Sequence, residues 1–462
     1  MPALVTNTLW FIVAISVLVA VHEYGHFWVA RRLGFKVLRF SVGFGSPLLR
    51  WRSKKDGVEY WLSAIPLGGY VKMLDEREED VAPEEVHRAF NRRPIPARIA
   101  VLFAGPAANF LFAIAAYWLI YVTGVAGVRP YVEAVEPDTV AAEAGLRADD
   151  VIVSVGGAQT ETLDQALVAF FDELLGDGII ELGVVEADGD RRELALDVRN
   201  RVSELTEPEA LFDGLGIVLG PRPLALVENV GQGSSAAADA GIEPGDRIVA
   251  IEDQAGDQAI KFWSELVEYV RARPGEAVDV VVERGSRTLR LPLVIDSFDD
   301  NGQTVGRIGI STPQTPREEL VERLATERRY GPIEGIGVAI DETWQMTALT
   351  SRMLWRMITG EVSLRNASGP IMIGAYAGDY AQAGFNAFLR FLCLISISLG
   401  IMNLLPVPIL DGGQIVMSVV EWVKGAPLSM RAAIIGQQIG LAMLILLMGF
   451  VFYNDITRLL GQ

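Results

Sequence analysis

The segment His22-Glu23-Tyr24-Gly25-His26 sets two imidazoles four residues apart, with a carboxylate next to the first. On a helix, residues four apart share a face, so both rings can reach one metal ion while Glu23 lies alongside. Two such imidazoles and one further ligand make the donor set of a catalytic zinc site, in which water takes the fourth position. Zinc lowers the pKa of that water to about 7, and a neighbouring carboxylate can remove its proton to give a hydroxide nucleophile. The chain has three histidines, and this segment uses two of them. It also interrupts an apolar run long enough to cross a bilayer. An ionisable side chain there costs about 3 kcal/mol or more and by default marks a functional site. The plainer alternative is three polar groups hydrogen-bonded within a helical bundle.

A third protein ligand has few candidates. His87 sits in a charged stretch, Val86-His-Arg-Ala-Phe90, that reads as solvated. Cys393 is the single cysteine, so no intramolecular disulfide or cysteine-based zinc site is available; it reads as a small packed hydrophobe. Asp411 stands in Asn403-Leu-Leu-Pro-Val-Pro-Ile-Leu-Asp-Gly-Gly413. The prolines and glycines around it break a helix and free backbone groups that must face protein or a water-filled cavity.

The elements that must position these groups are membrane helices. Residues 3–29, 99–122, 388–409 and 432–452 are apolar runs long enough to span. Half of the chain is hydrophobic although 21% is charged, and mean hydropathy is +0.30, which fits spans combined with polar soluble domains. The first run is not a cleavable leader, because no basic residue precedes it and Arg31-Arg32 follow it. Arg31, Arg32, Lys36, Arg39, Arg50, Arg52, Lys54 and Lys55 crowd the next loop, whereas the N-terminal tail has no cation, so that loop is expected inside and both termini outside. The histidine end of the first span and the Asp411 end of the third then lie at similar depth. That agreement selects His22, His26 and Asp411 as ligands, with Glu23 as the base. A net charge of −18, carried mainly by the middle of the chain, argues against a nucleic-acid partner.

Residues 126–313 read as soluble and contain an internal repeat. Asp138-Thr-Val-Ala-Ala-Glu-Ala-Gly-Leu146 runs into Asp149-Asp150 and a strand; Ser234-Ser-Ala-Ala-Ala-Asp-Ala-Gly-Ile242 runs into Gly245-Asp246 and another. Each copy continues with an amphipathic helix and further strands. The pattern resembles a tandem pair of PDZ domains, with Gly214-Leu-Gly-Ile217 and Gly306-Arg-Ile-Gly-Ile310 as the carboxylate-loop strands. Such grooves take a peptide as an added strand, although a purely structural role is the rival reading. The expected organisation is a first transmembrane helix at 1–30, a cytoplasmic and membrane-dipping β region at 31–97 and a second helix at 98–124. PDZ domains follow at 126–222 and 223–315, an amphipathic linker at 316–387, a third helix carrying the aspartate ligand at 388–412, and a fourth at 431–453. The fold class is thus a polytopic α-helical membrane protein of four transmembrane helices, with a membrane-associated β-hairpin and two tandem PDZ domains in an extracytoplasmic insert.

With H-E-x-G-H in the first span and N-x-x-P-x-P-x-x-D-G-G in the third, the sequence resembles the site-2 protease family of intramembrane metalloproteases. The resemblance implies a Zn2+-dependent endopeptidase of the bacterial inner membrane. It would cut the transmembrane segment of single-pass proteins, an anti-sigma factor after a first cleavage and remnant signal peptides among them. It also implies that Phe40-Ser-Val-Gly43-Phe44-Gly45 and Ile65-Pro-Leu-Gly68-Gly69-Tyr-Val-Lys-Met73 form the membrane-dipping hairpin and edge strand, and that Asn403 helps to hold substrate. Glycine-rich extended backbone can pair with an unwound substrate, although tight turns alone would also require these glycines. Gly105-Pro-Ala-Ala-Asn109 matches a family motif, where buried Asn109 serves either helix packing or the site; Ser368-Gly-Pro-Ile371 matches another of underived purpose. Two rivals stand beside the enzyme. A membrane scaffold with a structural zinc has no use for Glu23. A metal transporter needs ionisable residues along its other spans, and the second and fourth hold almost none.

Overall fold

The computed structural model describes residues 2–186, 188–207, 210–220, 223–231, 235–253, 256–285, 287–300, 303–312, 318–426 and 428–460. These fall into two compact units, one within 1–125, 201–208 and 327–462, the other within 126–200 and 209–326.

The first unit is built on α1 (Pro2–Arg32), strands β1 (Val37–Arg52) and β2 (Glu59–Met73), and α2 (Ile95–Thr123). It continues with α3 (Glu334–Thr359), α4 (Pro370–Gln382), α5 (Phe385–Leu404), α6 (Asp411–Lys424) and α7 (Met430–Leu460). Among the described residues four helices, α1, α2, α5 and α7, are long and apolar enough to cross a membrane. α2 is the hub. Its Ala113, Tyr117, Ile120 and Tyr121 bury against Ala14 and Leu18 of α1 and against Phe388, Phe391, Leu392 and Ile397 of α5. It ends where Gly124 adopts φ 94°, a left-handed turn that a glycine makes without a Cβ clash.

The third span differs from expectation. α5 stops at Leu404, and Asp411 opens a separate helix instead of ending the span. Pro406 and Pro408 supply no backbone N–H, and each biases the residue before it away from helical geometry, so the helix cannot continue. The expected amphipathic linker also packs inward within its described residues. In α3, Ala339 and Thr343 are buried on the side that packs against α2, while Trp344 (71% exposed) and Trp355 (65%) point away. The Ser368-Gly-Pro-Ile371 stretch gains a purpose: buried Asp455 of α7 accepts from the backbone N–H of Gly369 (2.7 Å), Ile371 (3.0 Å) and Met372 (3.2 Å). A carboxylate so placed caps the start of α4, where the first N–H groups have no helical partner.

β1 and β2 are bent so that residues 37–42 of β1 pair on one side with 69–73 of β2 and on the other with 59–62. The 69–73 segment therefore has one edge without a strand partner among the described residues. Phe44, Leu48, Leu49, Trp51, Leu62 and Ile65 remain exposed on this hairpin.

The second unit contains the repeat. Each copy holds a four-stranded antiparallel sheet of one strand order: Ala158–Gln159, Val151–Val155, Ile179–Val185, Arg191–Asp197 in the first, and Gly256–Ala259, Arg247–Asp253, Ala277–Arg284, Arg287–Val294 in the second. The likeness reaches single hydrogen bonds. Buried Asp150 accepts from the Arg147 N–H (3.0 Å) and pairs with Arg192 (3.0 Å), whose Nη1 donates to the Gly145 carbonyl (2.9 Å). Asp246 does the same with the Glu243 N–H (2.9 Å) and Arg284 (2.7 Å), which donates to the Gly241 carbonyl (2.7 Å). The amphipathic helices run over Leu163–Leu174 and Trp263–Arg271. Gly214 and Leu215, expected in a strand, close the helix Ala210–Leu215 instead, and the strand begins at Ile217. The expected domain limits at 222 and at 315–316, and Ser234, lie outside the described residues.

Candidate metal centre

Two elements deliver three donors to one point. α1 presents His22 and His26, 7% exposed each, and Asp411 comes from the first turn of α6. The two Nε2 atoms lie 3.2 Å apart, and Asp411 Oδ2 is 3.2 Å from that of His22 and 3.3 Å from that of His26. Around a tetrahedral zinc with ligand distances near 2.05 Å, donor atoms stand about 3.3 Å apart. The triangle has that size. Its donor chemistry agrees as well, two imidazoles and a carboxylate. Asp411 Oδ2 is buried and makes no hydrogen bond, so its lone pairs are free toward the centre of the triangle. His26 Nδ1 lies 2.8 Å from the Val101 carbonyl, which fixes the proton on Nδ1 and leaves Nε2 as an open ligand. The residues present fit zinc.

Close backbone packing makes the convergence possible. A Cβ on Gly25 would come within 2.2 Å of the Ala104 carbonyl, so only glycine lets α1 meet α2 here. A Cβ on Gly105 would stand 2.3 Å from His26 Nε2 and 2.8 Å from His22 Nε2. Cβ atoms on Gly412 and Gly413 would collide with the Leu404 and Val407 carbonyls at 2.2 and 2.1 Å, which explains how the chain turns tightly enough to bring Asp411 back. A buried ion pair, Arg98 of α2 with Glu421 of α6 at 2.8 Å, ties the helix carrying Asp411 to the helix behind the histidines.

Glu23 (9% exposed) neighbours the triangle and faces β2, where the Val71 backbone N–H donates to its carboxylate. Gly69 sits directly against it: a Cβ there would be 2.9 Å from Glu23 Cγ and 2.7 Å from the Ser41 carbonyl. The edge segment of β2 therefore runs beside the carboxylate. Gly43, Gly45 and Gly68 have φ of 91°, 85° and 121°, and the Phe44 ring packs over Gly68, where a Cβ would meet it at 2.3 Å. Phe44 also stacks on Tyr70, with ring centroids 6.3 Å apart. Of the expected substrate residues, Gly69 reaches the site. Gly43, Phe44, Gly45 and Gly68 build the hairpin beside it. Asn403 lies in the last turn of α5 and donates to the Leu399 carbonyl (3.0 Å); among the described residues it has no hydrogen bond to the triangle. His87 is exposed in a short 3-10 turn, and Cys393 is buried with its Sγ 3.7 Å from the Ala113 carbonyl; neither joins the triangle. Sequence reasoning named Gly25 and Gly105 only as members of motifs, without their packing role, and missed Arg98 and Glu421. The signal in Gly25 and Gly105 was present, since a glycine inside a helix weakens it by about 1 kcal/mol unless close packing needs it.

Comparison with known proteins identifies the family. The profile of Peptidase family M50 matches residues 10–447. The regulator of sigma-E protease RseP of Escherichia coli (strain K12) is 44% identical over 451 residues, covering 97% of this chain and 98% of that one. The regulator of sigma E protease of Haemophilus influenzae is 39% identical over 97% of this chain and 98% of the relative. A protein of Vibrio cholerae serotype O1 named as a zinc metalloprotease is 38% identical over 98% of this chain and all of its own length (100%). Among solved structures, the PDZ domain of an SdrC-like protein from Listeria monocytogenes covers 21% of this chain and 90% of its own, at 22% identity and a TM-score of 0.17. With a family match over most of its length, and with relatives of this identity end to end, the chain belongs to the M50 peptidases, the site-2 protease family, and is a zinc metalloprotease.

Proposed function

We propose that the chain hydrolyses a peptide bond within the transmembrane segment of single-pass membrane proteins, with His22, His26 and Asp411 holding Zn2+ and Glu23 as the base. One observation carries this reading: a zinc-sized triangle of donors with a carboxylate beside it, whose two imidazoles and carboxylate base lie on an apolar helix long enough to cross a membrane. Zinc, when bound, polarises the scissile carbonyl and acidifies a water. Glu23 takes the proton from the attacking water and returns it to the leaving nitrogen. The open edge of β2, with Gly69 against Glu23, supports binding of an unwound substrate as an added strand. Gly43, Phe44, Gly45 and Gly68 shape the hairpin that presents this edge. Asn403 holds substrate from α5. An apolar groove of about 520 Å³ lined by Ala20, Val21, Tyr24, Phe40, Ala108, Leu111 and Phe112 supports lateral entry of an apolar helix.

In this reading the two repeats are PDZ domains. They act on the outer part of substrates, and the groove of about 270 Å³ along Leu266, Val270, Phe298, Ile308 and Ile310 supports peptide binding by the second. The relatives are named as regulators of sigma E, which supports a role in sigma-factor control; in this reading the substrates are an anti-sigma factor after a first cleavage and, as a second class, remnant signal peptides. The family resemblance implies a bacterial inner-membrane protein, and cation placement supports an orientation with its termini and PDZ domains periplasmic and its active site toward the cytoplasm. The test is co-expression with a tagged single-span substrate that lacks its outer domain, comparing wild type with Glu23→Gln at matched expression and zinc content. A shorter fragment with wild type alone is expected. Equal cleavage by both proteins overturns the assignment of Glu23.

A further inference from the structure

α2 carries a stripe of three residues spaced four apart, Val101, Gly105 and Asn109, all buried and all facing the histidines of α1. The Val101 carbonyl holds His26 Nδ1, and Gly105 leaves room for both rings. Asn109 is fully buried (0% exposed), with one end of its carboxamide 3.2 Å from His22 Nδ1 and its Oδ1 without a hydrogen bond. A carboxamide in the middle of an apolar helix costs about 1–3 kcal/mol when left unpaired.

The orientation of the amide decides the chemistry. With Nδ2 toward His22, the ring must accept at Nδ1 and carry its proton on Nε2, the atom that faces Asp411 Oδ2 at 3.2 Å and His26 Nε2 at 3.2 Å. That tautomer cannot ligate through Nε2. The two ends of a carboxamide have the same shape, and hydrogen bonding determines which is which. Turned by half a rotation, Oδ1 accepts from His22 Nδ1–H and the unpaired oxygen gains its donor. Nε2 then offers its lone pair to the triangle. Ser396 of α5 donates to the Asn109 carbonyl at 3.0 Å and holds this turn of α2 in register.

We infer that Asn109 is a positioning residue of the metal centre, accepting from His22 Nδ1–H and thereby holding His22 in the tautomer that binds zinc through Nε2. α2 thus supplies the outer hydrogen bond to both imidazoles, by a backbone carbonyl for His26 and by a side chain for His22. The inference rests on the reading of His22 as a zinc ligand.

The experiment measures zinc affinity of the purified full-length chain by competition with a chromophoric chelator, for wild type, Asn109→Leu, Asn109→Ala, Asn109→Asp and His22→Ala. Asn109→Leu and Asn109→Ala remove the acceptor and are expected to weaken zinc binding roughly 10- to 100-fold, whereas Asn109→Asp keeps an acceptor and stays within a few-fold of wild type. With three histidines in the chain, ¹⁵N-histidine spectra of the zinc-loaded protein report the His22 tautomer directly, protonated at Nδ1 in wild type and Asn109→Asp. Cleavage by Asn109→Leu should recover as free zinc is raised, with KM unchanged, which a packing defect would not do. Unchanged zinc affinity in Asn109→Leu and Asn109→Ala, while His22→Ala loses zinc, overturns the inference and leaves the metal site standing. Full zinc retention by His22→Ala overturns the ligand assignment itself.

Discussion

Gly105→Ala adds one methyl group, and its effect separates the fold from the site. The new Cβ would lie 2.3 Å from His26 Nε2, 2.6 Å from its Cε1 and 2.8 Å from His22 Nε2. An ordinary carbon–nitrogen contact is about 3.4 Å, so His26 must retreat by about 1 Å. Metal–ligand distances tolerate about 0.2 Å, so the retreat removes His26 from the coordination sphere. Losing a whole ligand weakens zinc by at least about 100-fold, the upper range for losing an outer hydrogen bond, or about 2.7 kcal/mol. Helix propensity pulls the other way, since alanine stabilises a helix interior by about 1 kcal/mol over glycine. The variant should therefore be folded, present in the membrane at wild-type level, short of zinc by elemental analysis and inactive on a single-span substrate. Zinc stoichiometry and cleavage equal to wild type would refute the packing geometry at α1 and α2. Loss of the folded protein would refute the claim that Gly105 serves the site and not the helix.

Chelation with 1,10-phenanthroline should abolish cleavage and added Zn2+ restore it, while Asp411→Asn should lower zinc content; both are read by elemental analysis beside an immunoblot. Gly69→Val puts a branched side chain against Glu23 Cγ and the Ser41 carbonyl, and should cut cleavage at least about 10-fold with zinc content unchanged. Glu421→Ala strands Arg98 as a buried cation, which costs about 3–5 kcal/mol and loosens the helix carrying Asp411, so zinc affinity should fall. The double variant Arg98→Met, Glu421→Leu should recover much of it. In the second repeat, burial alone would raise the Asp246 pKa, but hydrogen bonds from Arg284 and the Glu243 N–H outweigh it and hold the carboxyl below its ordinary value of 3.8. A depressed pKa stabilises above the unfolded-state value, and that contribution disappears as pH falls through the folded one. Strand Arg247–Asp253 should thus lose hydrogen-exchange protection below about pH 4 in wild type. In Asp246→Asn protection should be lower at pH 7 and less dependent on acid.

The chemistry was legible in the sequence because it depends on residue type and local spacing. His22, Glu23 and His26 lie within one helical turn and a half, so their shared face follows from the 3.6-residue period alone. Asp411 was legible through a longer chain of reasoning, in which cation placement oriented two spans and matched their depths. The four apolar helices and the doubled sheet followed from hydropathy and repetition, signals carried by the chain itself. What tertiary structure decided was contact between segments remote in sequence. That α5 stops at Leu404 while Asp411 opens the next helix depends on how two prolines are resolved in space. Gly25 and Gly105 stand in the sequence only as members of motifs, and that they let two helices touch is decided by the packing. Asp455 capping α4 spans 86 positions to Gly369, and Arg98 reaches Glu421 across 323. Asn109 was visible as a costly amide within a span, but its partner at His22 lies 87 residues away. Periodicity within one element cannot encode such pairings, because they depend on the distance and rotation at which two independently formed helices pack.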